Sequence, residues 1–112
     1  MSERDHILFL QDILESLEKI SKYCKDKTFE EFKSSELLVD GVVRNLEIIG
    51  EAAKKLPDNI KQKYPDVEWK KISGLRDILI HDYIGIDYDV LWDIIANKVP
   101  DLKSNIKRIK EN

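Results

Sequence analysis

The stretch Val39-Asp40-Gly41-Val42-Val43-Arg44-Asn45-Leu46-Glu47-Ile48-Ile49-Gly50-Glu51-Ala52-Ala53-Lys54-Lys55-Leu56 decides the fold. Val39, Val42, Leu46, Ile49, Ala53 and Leu56 recur at alternating steps of three and four, the period of one buried helical face. Such a seam suits a long helix laid lengthwise on another. Thr28, followed three places later by Glu31, resembles a capping box and opens this second helix; Pro57 stops it. Gly41 and Gly50 inside it cost about 1 kcal/mol each relative to alanine, a cost that close helix approach would explain.

The rest of the chain reads at the same period. Leu10, Ile13, Leu14, Leu17, Ile20 and Cys24 give a first helix over residues 4–25. Residues 57–65 form a short connection with room for one helical turn. Asp66 is placed to cap a third helix that buries Ile72, Leu75 and Leu79, with Gly85 placed to end it. Asp87 caps a fourth helix carrying Leu91, Ile94 and Ile95, and Pro100 breaks or kinks that element. Leu102, Ile106 and Ile109 continue the spacing. No strand-like alternation, repeat or low-complexity tract appears. The fold class is all-α, an antiparallel bundle of four main helices plus a short connecting turn.

A length of 112 residues makes residues 1–112 one domain with a single core. Apolar residues at 42% and charged residues at 37% exclude a disordered chain. No run approaches the roughly 20 apolar residues of a membrane span. The N-terminus has no signal-peptide layout, so a cytoplasmic location is expected. A single cysteine, Cys24, fits a reducing compartment and reads as a small core residue.

The net charge is −3, which argues against bulk electrostatic binding of nucleic acid, but its distribution is uneven. Residues 1–53 carry seven Lys/Arg against twelve Asp/Glu, and residues 54–76 carry seven against three. Residues 77–112 carry five against seven. A basic approach thus leads into Arg76-Asp77-Ile78-Leu79-Ile80-His81-Asp82-Tyr83. That approach suits a polyanion, and a solvated lysine-rich surface accounts for it equally well.

This motif holds the chemistry. Arg76 offers a permanently charged fork matched to phosphate, His81 exchanges a proton near neutral pH, and Tyr83 supplies a hydroxyl. At about 100° per residue, Arg76 and Tyr83 share a helical face, as do Asp77 and His81, so Asp77 can orient the imidazole. Arg76 and His81 stand about 140° apart. Either the helix loosens near His81, or two subunits contribute complementary groups to one cleft. The bland alternative is an ion-paired Arg76, a helix-capping His81 and a core Tyr83. Trp69, Tyr88 and Trp92 read as packing residues. Two histidines, His6 and His81, with one cysteine give no metal-ligand spacing. There is no glycine-rich phosphate loop and no Gly-x-Ser-x-Gly elbow.

One resemblance covers residues 5–110 in matching order. Ile49-Gly50-Glu51-Ala52-Ala53, Leu56, Lys63-Tyr64-Pro65, Trp69, Ile72, Gly74-Leu75-Arg76-Asp77-Ile78-Leu79-Ile80-His81-Asp82-Tyr83, Gly85-Ile86-Asp87 and Trp92-Asp93-Ile94-Ile95 resemble the HepT branch of the HEPN superfamily. The resemblance implies a helical homodimer with two arginine–histidine motifs facing one cleft. It implies a metal-independent endoribonuclease acting on tRNA or mRNA, without a cofactor, as the toxin of a toxin–antitoxin pair. The implied partner is a minimal nucleotidyltransferase antitoxin that uses ATP to transfer AMP to the motif tyrosine. On this basis Arg76 and His81 are the catalytic pair, Asp77 is a supporting residue and Tyr83 is the AMP acceptor. Asp77 departs from the asparagine common in the family. A non-catalytic, nucleotide- or substrate-binding subunit of a nucleotidyltransferase complex is the alternative; a purely structural helical dimer leaves the polar motif unexplained.

Overall fold

The computed structural model describes residues 3–81 and 87–111, with side chains described for residues 5–75 and 87–111. Among the described residues the chain is all-helical. The elements are α1 (Glu3–Cys24), α2 (Phe29–Ser34), α3 (Glu36–Lys55), α4 (Asp58–Lys63), α5 (Trp69–His81), α6 (Tyr88–Asp93), a π-turn (Ile94–Lys98) and α7 (Val99–Glu111). None of the described helices is long and apolar enough to cross a membrane.

The apolar seam of α3 forms the centre of the core. Its Val42, Leu46, Ile49 and Ala53 are buried, and α1 meets them with Ile13, Leu17 and Ile20. Each of these valine, leucine and isoleucine side chains contributes about 1.5–3 kcal/mol when fully buried. Two contacts fix α1 and α3 as antiparallel. The Lys55 ammonium lies 6.0 Å from the Phe9 ring, while at the other end a Cβ added to Gly41 would sit 3.4 Å from the Tyr23 ring. Gly41 thus leaves room for Tyr23, as close helix approach requires. Helix α7 packs along α1, with Ile106 and Ile109 buried and Lys110 bonded to Gln11. Cys24 is buried, and burial pushes its thiol above the ordinary value, which makes it the inert core residue expected.

Three expectations need correction. The helix expected to run from Thr28 to Pro57 is two helices, α2 and α3, divided at Ser35. Ser35 is extended (φ −104, ψ 101), donates its N–H to the Phe32 carbonyl and accepts the Leu38 N–H on its hydroxyl. A serine that caps both neighbours competes with helix continuation. The break lets α2 turn Phe32 into the core, where it is 0% exposed. Asp66 does not cap α5, which begins three residues later; its carboxylate instead pairs with Arg108 of α7 at 2.7 Å. Pro100, expected to break or kink its element, does not break it. The preceding π-turn closes with Val99 N–H bonded to the Ile94 carbonyl, and the proline falls in the first turn of α7.

Other signals hold. The Thr28 capping box is complete: Glu31 N–H donates to Thr28 Oγ1 at 3.1 Å, and Thr28 N–H donates to Glu31 Oε1 at 3.0 Å. The Thr28 N–H bond holds the Glu31 carboxyl below the usual glutamate range. Because the folded value is depressed, the stabilisation is present above the unfolded value of about 4.3 and disappears as pH falls through the folded one. Thr28→Ala is expected to cost about 1 kcal/mol in urea unfolding at neutral pH. The Thr28 N–H bond survives in that variant, so the pH-dependent part is read from Glu31→Ala, whose difference from wild type should narrow when the measurement is repeated in acid.

Candidate active site on the fifth helix

The arginine–histidine motif lies on α5, and what positions this helix is well defined at its start. Val67 N–H bonds to the Tyr64 carbonyl at 3.2 Å and Trp69 N–H to the Val67 carbonyl at 2.9 Å. The Trp69 indole N–H reaches back to Tyr64 O at 3.0 Å, and Trp69 is 7% exposed, a packing residue. Arg108 closes this corner from α7: it pairs with Asp66, and its guanidinium lies 5.6 Å from the Tyr64 ring. Both members of the ion pair are half-exposed, so it fixes geometry more than it adds stability. Asp66 and Arg108 are 42 residues apart, beyond the range of local spacing rules.

From that anchor α5 runs inward on Ile72 and Leu75, which share a cavity of about 320 Å³ with Leu17, Leu46, Ile49, Val99 and Leu102. Its floor is aliphatic, with Glu68 and Lys71 at the rim, and it lies on the face of α5 away from Lys70. Another stretch of α5 carries a shallow groove of about 780 Å³ bounded by Val67, Glu68, Trp69, Lys70, Lys71, Gly74 and Leu75. A Cβ added to Gly74 would meet nothing within 4 Å.

The structure places Arg76, Asp77 and His81 on one unbroken α-helical backbone ending at His81. For these three residues only the backbone is described, and Tyr83 lies outside the described residues, as does Gly85. The backbone is helical up to His81, and the residues after it, where Gly85 would permit a loosened turn, lie outside the described residues. Five residues of α-helix leave Arg76 and His81 about 140° apart around the axis. Asp77 and His81, four apart, share a face, as do Lys70 and His81, eleven apart.

Downstream, the described chain resumes at Asp87, whose carboxylate accepts the N–H groups of Asp89 (2.9 Å) and Val90 (3.3 Å) as the α6 cap. Trp92 holds α6 against α2, with ring centroids 6.0 Å from Phe29 and 5.4 Å from Phe32. Tyr88 is 37% exposed, so of the aromatics assigned to packing it is the least enclosed. In sequence, Tyr83 falls between His81, the last residue of α5, and Asp87 at the start of α6. Among the described residues no group of three or more His, Cys, Asp or Glu is placed to hold a metal ion.

The family model for HepT-like ribonucleases matches residues 13–109, a span that contains α3, α5 and the whole motif. The chain belongs to the HepT-like family. Among its relatives, "Putative RNase MJ0127" of Methanocaldococcus jannaschii is 47% identical over 99% of this chain and 89% of its own length. "Putative RNase MJ1380" of the same organism is 44% identical over 96% of this chain and 98% of its own. "Probable ribonuclease HepT" of Thermococcus cleftensis is 36% identical over 97% and 99% respectively. No solved structure matches the chain. For this HepT-like protein, the family match and the naming of these relatives support a ribonuclease.

Proposed function

We propose that this HepT-like protein is a metal-independent endoribonuclease and the toxin of a toxin–antitoxin pair. The observation that carries the reading is the presence of Arg76 and His81, intact and in order, on one continuous helix within the family match. In the proposed reaction a 2′-hydroxyl oxygen of RNA bonds to the adjacent phosphorus, and the bond from phosphorus to the 5′-oxygen breaks. The proton leaves the 2′-hydroxyl and ends on the departing 5′-oxygen, with His81 as its carrier. Arg76 stabilises charge building on the phosphoryl oxygens. A 2′,3′-cyclic phosphate and a free 5′-hydroxyl result, and DNA, which lacks the 2′-hydroxyl, is left intact. Asp77 shares a helical face with His81 and orients the imidazole.

The regular helix bears on assembly. Since one α5 holds Arg76 and His81 about 140° apart, the cleft is proposed to form between two copies, His81 of one working opposite Arg76 of the other. Light scattering at micromolar concentration should give twice the chain mass of 13.1 kDa; an active monomer would rule out the shared cleft. The proposed antitoxin is a minimal nucleotidyltransferase that places AMP from ATP on Tyr83. One observation favours the alternative, a non-catalytic nucleotide-binding subunit: Asp77 brings negative charge next to the proposed phosphate site. Cleavage of RNA in excess EDTA by wild type but not by His81→Ala decides between the two.

A further inference from the structure

The basic approach to the motif contains several lysines, and the structure distinguishes among them. Lys71 is held by Glu68 at 2.9 Å. Lys63 lies over the Tyr64 ring at 5.7 Å. Lys70 is exposed and makes no ion pair or hydrogen bond with another described residue. It also has a special register. Eleven residues of α-helix turn through about three full circles and 20° more, so Lys70 shares a face with His81 about 16 Å along the axis. Gly74 and Asp77 lie on that face between them, with open space at Gly74 where a side chain would be. The groove that Lys70 and Gly74 help to bound lies at the start of the stripe on which His81 falls by register.

We propose that this groove is the track for single-stranded RNA, with Lys70 gripping a backbone phosphate a few nucleotides from the bond positioned at His81. The inference rests on the ribonuclease reading and adds a positioning residue to it. An available ammonium at the far end selects a polyanion. The bare helix surface at Gly74 lets a sugar–phosphate backbone lie against α5 beside Lys70. A second copy of this chain is the competing occupant, since Gly74 would also admit a helix, but a lysine unpaired among the described residues would, on two-fold-related faces, repel its mate.

The test uses a 2′-O-methyl oligoribonucleotide, which cannot be cleaved by the proposed route, so binding is read apart from catalysis. Lys70→Gln should weaken binding and reduce the slope of log K against log salt by about 0.7 for each phosphate it no longer neutralises. Lys71→Gln, whose ammonium is already held by Glu68, should change the slope less. Gly74→Leu should weaken binding without changing the slope. On cleavable RNA, the Lys70→Gln defect should fall chiefly on KM rather than kcat. An unchanged slope for Lys70→Gln overturns the track. So does a Gly74→Leu protein that binds RNA as wild type does but no longer has the dimer mass, because the groove then holds a second copy. If wild type binds with the expected slopes yet cleaves no RNA, the ribonuclease reading fails while the track stands.

Discussion

His81→Ala should lose RNA cleavage by about 10²–10⁴-fold, the usual contribution of a group that moves a proton in the transition state. The loss should appear in kcat, because the imidazole is assigned to the reacting proton and not to holding RNA. Arg76→Ala should be similarly damaging. Arg76→Lys should restore only part of the rate, since lysine keeps the charge and loses the planar fork that grips two oxygens at once. Circular dichroism and light scattering should show the helical fold and the oligomer unchanged. The packing of α5 described above is carried by Trp69, Ile72 and Leu75, none of which these variants touch. Equal cleavage by His81→Ala and wild type would remove the histidine from the mechanism.

The second large effect concerns Tyr83. It stands two positions after the last residue of α5 and four before Asp87, close in sequence to the proposed cleft. AMP on its hydroxyl would bring a negatively charged phosphate near Arg76 and fill space needed by RNA. Incubation with the nucleotidyltransferase and ATP should therefore raise the intact mass by one or more AMP units and silence cleavage. Tyr83→Phe should keep its nuclease activity, because the phenol has no proton-transfer role in the proposed reaction, and should escape silencing. A Tyr83→Phe protein that is still modified and still silenced would move the acceptor to another residue.

Much of this architecture is legible in the sequence because it depends on local periodicity. The stripe from Val39 to Leu56 is the buried face of α3, and the caps at Thr28 and Asp87 form as their spacing predicts. The features that are not legible depend on competition or on distance. Ser34-Ser35 inside a strong helical pattern is a local hint of a break, but the apolar stripe outweighs it, and only the geometry shows Ser35 capping both helices. Asp66 has the residue type of a helix cap, yet a guanidinium 42 residues away claims its carboxylate. Pro100 would disrupt an α-turn, and the π-turn before it cannot be read from residue types.

For the site, the residue types and order of Arg76, Asp77, His81 and Tyr83 identify the motif, and the structure adds that α5 is regular through His81. Spacing alone leaves both a loosened turn and a two-subunit cleft open, since Gly85 permits the first. Lys70 and Gly74 do not stand out in the sequence, where they are one lysine among many and one helical glycine. Their significance comes from three-dimensional facts: an ammonium unpaired among the described residues, open space at the glycine, and a shared face with His81.

The most direct measurement of the central claim is analysis of the RNA ends produced by purified wild-type protein in excess EDTA, with His81→Ala in parallel. The account predicts fragments with 2′,3′-cyclic phosphate and 5′-hydroxyl ends from wild type, none from His81→Ala, and no cleavage of the matching DNA. Cleavage that stops on chelation and returns with a divalent ion, or fragments bearing 5′-phosphate ends, would contradict it.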